Sequence, residues 1–144
     1  MTRVDFHVNI DDRVLHACRL VRKIHRSGLR VVVCSSDPAR LAAFDQALWT
    51  FSPHDFVPHV MASDRLAAET PVLLTADAEA APWYPVLVNL GDDTPAGFAR
   101  FERLIELVGA GEAERAAARS RWRFYRDRGY ALTLHDMATA DAER

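Results

Sequence analysis

The run Val31-Val32-Val33, closed by Cys34 and followed at once by Ser35-Ser36-Asp37-Pro38, constrains this chain more than any other stretch. Consecutive β-branched residues with no polar alternation suit a short strand covered on both faces, as in a parallel sheet. Asp37 then offers a carboxylate to the orphan N–H groups of a helix whose first position is Pro38. On that helix Leu41, Phe44 or Asp45, and Leu48 share one side at 3.6 spacing. It ends by presenting Trp49 and Phe51, Pro53 stops it, and Phe56 precedes the Val57-Pro58 step. Large aromatics at a helix end either fold back into the core or form a contact surface. Read alone, Trp49 is expected to pack inward.

The flanks agree with a layered α/β design. Val4, Phe6, Val8 and Ile10 alternate with polar residues, the period of a strand. A helix follows, with Asp11 or Asp12 as cap, an apolar face of Val14, Cys18, Val21 and Ile24 or His25, and an end at Ser27-Gly28. Strand, helix and strand within about 30 residues make a βαβ unit, so the first two strands should be parallel. Pro71–Thr75 and Val86–Leu90 read as further buried strands, with loop and one helical turn between His59 and Pro71. A helix is expected from Thr94-Pro95 through Phe98, Phe101, Leu104 or Ile105, and Val108, broken by Gly109 and Gly111. Glu112–Arg128 is the last helix, and Tyr130–Leu134 a closing strand of undecided direction.

At 144 residues the chain is expected to form one domain, with a net charge of −2 that argues against wholesale coating of nucleic acid. Residues 1–134 are taken as the domain and 135–144 as a frayed tail. No apolar run is long enough for a bilayer, and no leader precedes the first strand, so the expectation is a cytoplasmic protein. Cys18 and Cys34 form no CxxC pair and read as core residues. The six histidines are scattered, no metal-ligand spacing appears, and neither a metal nor a cofactor is expected. Asp11-Asp12 and Asp92-Asp93 read as helix caps.

Two motifs carry the chemistry of interest. The Cys34–Pro38 turn aims a helix N-terminus out of a strand end, where an anion could bind, but no glycine-rich phosphate loop accompanies it. The last helix is more telling. With Arg115 at zero on a wheel of about 100° per residue, Arg119, Trp122 and Arg126 fall within about 40° and Arg123 about 80° away. Ala113, Ala117 and Phe124 lie opposite, where the core is expected. A stripe of arginines around a Trp differs from an ordinary solvated face, because guanidinium groups grip carboxylates or phosphates and an aromatic adds an apolar shelf.

Phe44–His59 (FDQALWTFSPHDFVPH) resembles the signature of the chi subunit of bacterial DNA polymerase III, an accessory protein of the clamp loader. The agreement lies in Asp45, Ala47, Leu48 and Trp49, then Phe56-Val57-Pro58-His59. A second patch runs from Ala118-Arg119-Ser120-Arg121-Trp122 through Tyr125-Arg126 to Gly129. The likeness covers nearly the whole chain and is weakest over Met61–Pro85. It implies that the last helix binds the acidic, Phe-terminated tail of single-stranded-DNA-binding protein through Arg115, Arg119, Trp122 and Arg123. Arginine stands at Arg115 and Arg123 where lysine is usual in the family, and Trp122 replaces a Tyr, so charge and aromaticity are kept. It also implies that Trp49, Phe51 and Phe56 meet the small psi subunit, or a helicase using the same surface.

The expectation is therefore a single three-layer, Rossmann-like α/β domain with a mostly parallel sheet flanked by helices. The leading function is a non-catalytic adaptor, monomeric or heterodimeric, that touches DNA only indirectly and no membrane. A small nucleotide- or phosphate-binding enzyme using the Cys34–Pro38 turn is the alternative, and direct DNA binding by the arginine helix a third reading.

Overall fold

The computed structural model describes residues 1–138. Its strands are β1 (Arg3–Ile10), β2 (Val31–Cys34), β3 (His59–Met61), β4 (Val72–Thr75), β5 (Val86–Asn89), β6 (Arg103–Gly109) and β7 (Ala131–Asp136). Its helices are α1 (Arg13–Arg26), α2 (Pro38–Thr50) and α3 (Glu112–Asp127). The strands make one sheet in the order β3-β4-β2-β5-β6-β1-β7, and every pairing is parallel. The two expected parallel strands, β1 and β2, are both present but separated by β5 and β6. The direction left open for the closing strand is parallel.

Alternation along the buried strands divides the core in two. Val31 and Val33 face Cys18, Val21, Phe44 and Leu48 of α1 and α2. Val32 and Cys34 face the other layer, where Phe6, Leu104, Ala118 and Tyr125 meet the loop residues Tyr84, Phe98 and Phe101. The local signals act as expected where they involve one element. Asp12 accepts from the N–H of Leu15, and Asp37 from those of Ala39 and Arg40. Gly28 closes α1 at φ 84°, a conformation that costs other residues a clash of Cβ.

The structure corrects several expectations. Arg103–Gly109 is a strand, not a helix. Its Leu104, Ile105, Leu107 and Val108 satisfy both periods, and the ambiguity is resolved by position: β6 lies between β5 and β1, covered on both faces. Before it, only the short turn Phe98–Arg100 is helical, because Gly97 stands at φ 75°. Asp92 and Asp93 consequently cap nothing. Asp92 accepts from Arg13 and Asp93 from the Ser36 hydroxyl. His59–Met61 adds an edge strand where loop was expected. The closing strand runs two residues further than read, pairing His135 with His7 and Asp136 with Val8. Of the expected frayed tail, residues 139–144 lie outside the described residues.

Candidate interaction surfaces

The last helix is turned relative to its wheel. Its buried residues are Ala118, Arg121 and Tyr125, whereas Ala113 is exposed and Ala117 and Phe124 only half-buried. The cause is polar. Glu106 of β6 is wholly buried, accepts from Tyr125 Oη at 2.6 Å and Asn89 Nδ2 at 2.7 Å, and lies 3.2 Å from Arg121 Nε. A buried carboxylate needs such partners. It draws Arg121 inward, and the buried face of the helix becomes that of Ala118, Arg121 and Tyr125.

The remaining arginines stay outside. Arg115, Arg119, Arg123 and Arg126 are exposed, and Trp122 is half-buried at the boundary. Its ring meets Phe6 edge to face, centroids 5.1 Å apart. Between α3, β1 and β7 opens a mainly apolar cavity of about 250 Å³, walled by Phe6, Val8, Val108, Ala118, Trp122 and Leu134 and rimmed by Asn9, Arg115 and Arg119. Among the described residues Arg119 is held by Glu112 alone, at 2.9 Å, a pair in which both partners are more than half exposed. Such a pair contributes little and exchanges readily with another carboxylate. Of the four tail-binding candidates, Arg115, Arg119 and Trp122 share the cavity, while Arg123 is on the same helix outside its lining.

At the other end of the sheet Trp49 is 51 % and Phe56 66 % exposed. The inward packing expected of Trp49 is not what occurs. Its ring lies tilted against Phe56 at 5.5 Å and His59 at 4.6 Å, and His59 is braced by the Asp45 carboxylate at 2.9 Å and the Val57 carbonyl at 2.8 Å. The loop carrying Phe56 is tied down by Asp55, which accepts from Arg22 and Arg26 of α1 and from the Ser52 hydroxyl. The Ser52 hydrogen bond, against some desolvation and with help from both guanidinium groups, holds the Asp55 carboxyl below its ordinary range. Phe51 is different. It is half-buried beneath the Arg22 guanidinium, 5.0 Å from its ring, and packs against the α1–α2 core.

The Cys34–Pro38 turn lines a cavity of only about 70 Å³ with Ser35, Ser36, Asn89, Asp93 and Thr94. Asp37 already occupies two N–H groups of α2, and Asp93 faces Ser36. An incoming phosphate meets carboxylates there. Burial, then Glu106 and Asp77, push the Cys34 thiol far above its usual range, so it is not a thiolate nucleophile. Among the described residues no group of three or more His, Cys, Asp or Glu is placed to hold a metal ion, and no helix is long and apolar enough to cross a membrane.

The family model described as DNA polymerase III chi subunit, HolC, matches residues 1–133. The chain belongs to the DNA polymerase III chi-subunit family. DNA polymerase III subunit chi of Pseudomonas aeruginosa is 38 % identical over 141 residues, covering 95 % of this chain and 98 % of that protein. The Haemophilus influenzae subunit chi is 27 % identical, covering 84 % and 85 %, and the Escherichia coli one 25 % identical, covering 80 % and 79 %. The chi-family match takes in Trp49, Phe56 and the whole of α3, and stops one residue short of Leu134.

Several residues of this chi-family chain were not found by sequence reasoning. On sequence alone Phe6, Val8 and Val108 are ordinary strand or helix positions, and Leu134 is part of a closing strand of undecided direction. They become cavity walls only because β7 lies beside β1. Asn9 left one weak signal, a residue type tolerant of left-handed backbone inside a strand pattern.

Proposed function

We propose that this chain is a non-catalytic replication adaptor, linking the DNA polymerase III clamp loader, through the psi subunit, to the C-terminal tail of single-stranded-DNA-binding protein during lagging-strand synthesis. Family membership supports a place in the polymerase III assembly. The observation that carries the tail-binding part is the α3 cavity, an apolar hollow with two arginines at its rim. A C-terminal Phe ring fits such a hollow, and guanidinium groups can take its carboxylate and the preceding acidic residues. Arg119 is assigned the terminal carboxylate, with Arg115 and Arg123 taking the acids and Trp122 flanking the ring.

The test is calorimetric titration with an acidic peptide ending in Phe. Arg119→Ala should cost about 1.5–3 kcal/mol, the range for a hydrogen bond to a charged group. Removing the terminal Phe should cost a similar amount through lost burial. Added salt should weaken binding without erasing it, since the apolar half is not screened. A peptide lacking its Phe that binds equally well would leave only a nonspecific basic patch.

The psi- or helicase-facing role is assigned to Trp49 and Phe56, supported by their exposure as a paired set of rings, with Phe51, half-buried under Arg22, as the third member of the set. Titrations with ATP, GTP and NAD should give no heat, in keeping with the blocked Cys34–Pro38 turn. Bare single-stranded DNA should show no steep salt-dependent binding. In this reading the protein works in the cytoplasm.

A further inference from the structure

Asn9 stands at φ 58°, and it is the one non-glycine residue with positive φ among those described. It lies where the register of β1 against β6 slips, between His7 and Ile10. A residue held in left-handed backbone at a bulge commonly marks a functional constraint. Here both ends of the side chain are used. Arg115 Nη2 donates to Asn9 Oδ1 at 2.9 Å, and Asn9 Nδ2 donates to Asp136 Oδ1 at 3.0 Å. The amide cannot be turned round, because a guanidinium only donates and a carboxylate only accepts. Asn9 also lines the cavity that Arg115 rims.

We propose that Asn9 is a positioning residue for the α3 cavity: anchored by Asp136 on the edge strand, it holds the Arg115 guanidinium over the cavity mouth, ready for an acidic peptide. This rests on the tail-binding reading above for its ligand, though not for its geometry. An exposed arginine otherwise samples many rotamers and must be ordered on binding, a cost that a pre-set contact reduces. Asn suits the position for two reasons. It tolerates the left-handed backbone, and its amide accepts from an arginine on its oxygen while donating to a carboxylate from its nitrogen.

The experiment uses the full chain and four proteins: wild type, Asn9→Gly, Arg115→Ala and the double variant. Glycine keeps the backbone conformation and removes only the side chain. Each is titrated with a synthetic peptide rich in Asp and Glu and ending in Phe, and the Arg115 Nε–H resonance of the free protein is followed by NMR. Asn9→Gly should weaken the peptide by about threefold to tenfold, the worth of one hydrogen bond. The double variant should bind no more weakly than Arg115→Ala, because Asn9 acts through Arg115. The Arg115 resonance should move to the position of a free arginine in Asn9→Gly. Additive losses, or a resonance that does not move, would overturn the proposal. If wild type binds no peptide, the tail-binding reading fails, and the resonance alone then decides whether Asn9 positions Arg115.

Discussion

Arg121 of α3 and Glu106 of β6 form an ion pair inside the protein, Nε to Oε2 3.2 Å, with side chains 4 % and 0 % exposed. Around it Tyr125 and Asn89 complete the carboxylate's hydrogen bonds, and Arg121 Nη1 reaches the Asp92 carbonyl. This pair sets the roll of α3. With Arg121 inward, Arg115 and Arg119 necessarily point along the β7 side, and Trp122 comes to rest on Phe6.

Breaking that pair should be costly. Arg121→Ala leaves an uncompensated buried carboxylate, which typically costs about 3–5 kcal/mol, measured by urea unfolding at pH 7. Burial already pushes the Glu106 carboxyl up, against Arg121 and the hydrogen bonds, and removing Arg121 should push it further. A carboxyl raised in the folded state above its unfolded value favours folding at low pH, and that contribution is lost as pH rises through the folded pKa. The variant should therefore recover stability, relative to wild type, as pH is lowered towards the ordinary carboxylate range. A variant equally weakened at every pH would show that Glu106 stays ionised without Arg121.

Trp49→Ala and Phe56→Ala should unfold at nearly the wild-type temperature, because more than half of each side chain is exposed. Binding to the partner at that surface should fall by about 2 kcal/mol or more for each, the scale of aromatic interface anchors. Pull-down with psi subunit or helicase, alongside thermal melts, checks both halves. A severe drop in melting temperature with normal binding would place the interface elsewhere.

Asp55→Ala should act on the same surface without touching it. It releases the loop from Arg22, Arg26 and Ser52, and amide exchange over residues 52–57 should accelerate while α1 and α2 remain protected. Because the Asp55 carboxyl is held below its ordinary range, its contribution in the wild type is present above the unfolded pKa and lost as pH falls through the folded one. Protection in this loop, corrected for the intrinsic pH dependence of amide exchange, should thus fall selectively in acid, and Asp55→Ala should abolish that selective loss.

A third group responds to pH on β1, beside the opposite edge strand. His7 is brought down from 6.5 to about 4, first by burial and then by His16 and His135, with Asp5 opposing. The unfolded chain takes up this proton below about pH 6.5 and the folded protein only near pH 4. Stability should therefore be complete above pH 6.5 and decline as pH falls across that window. His7→Gln should flatten this limb in a series of urea melts from pH 7 to pH 4. An unchanged slope would assign the decline to other groups.

Features that depend on neighbours along the chain were legible in the residues. The Val31–Cys34 strand, the Asp12 and Asp37 caps, the α2 face of Leu41, Phe44 and Leu48, and an outward arginine stripe on α3 all follow from local sterics, hydrogen bonding and helical period. Family likeness was legible too, in the Phe44–His59 string and the Ala118–Gly129 patch. What only the tertiary structure decided depends on partners distant in sequence. Arg103–Gly109 is a strand because β5 and β1 flank it. The roll of α3 comes from Glu106, a lone acid in an apolar run whose burial no periodicity announces. Trp49 faces outward because Leu41, Phe44 and Leu48 already fill the helix face that the sheet offers. The α3 cavity exists because β7 returns beside β1, so that Phe6 and Leu134, 128 positions apart in number, stand on one wall of the same hollow.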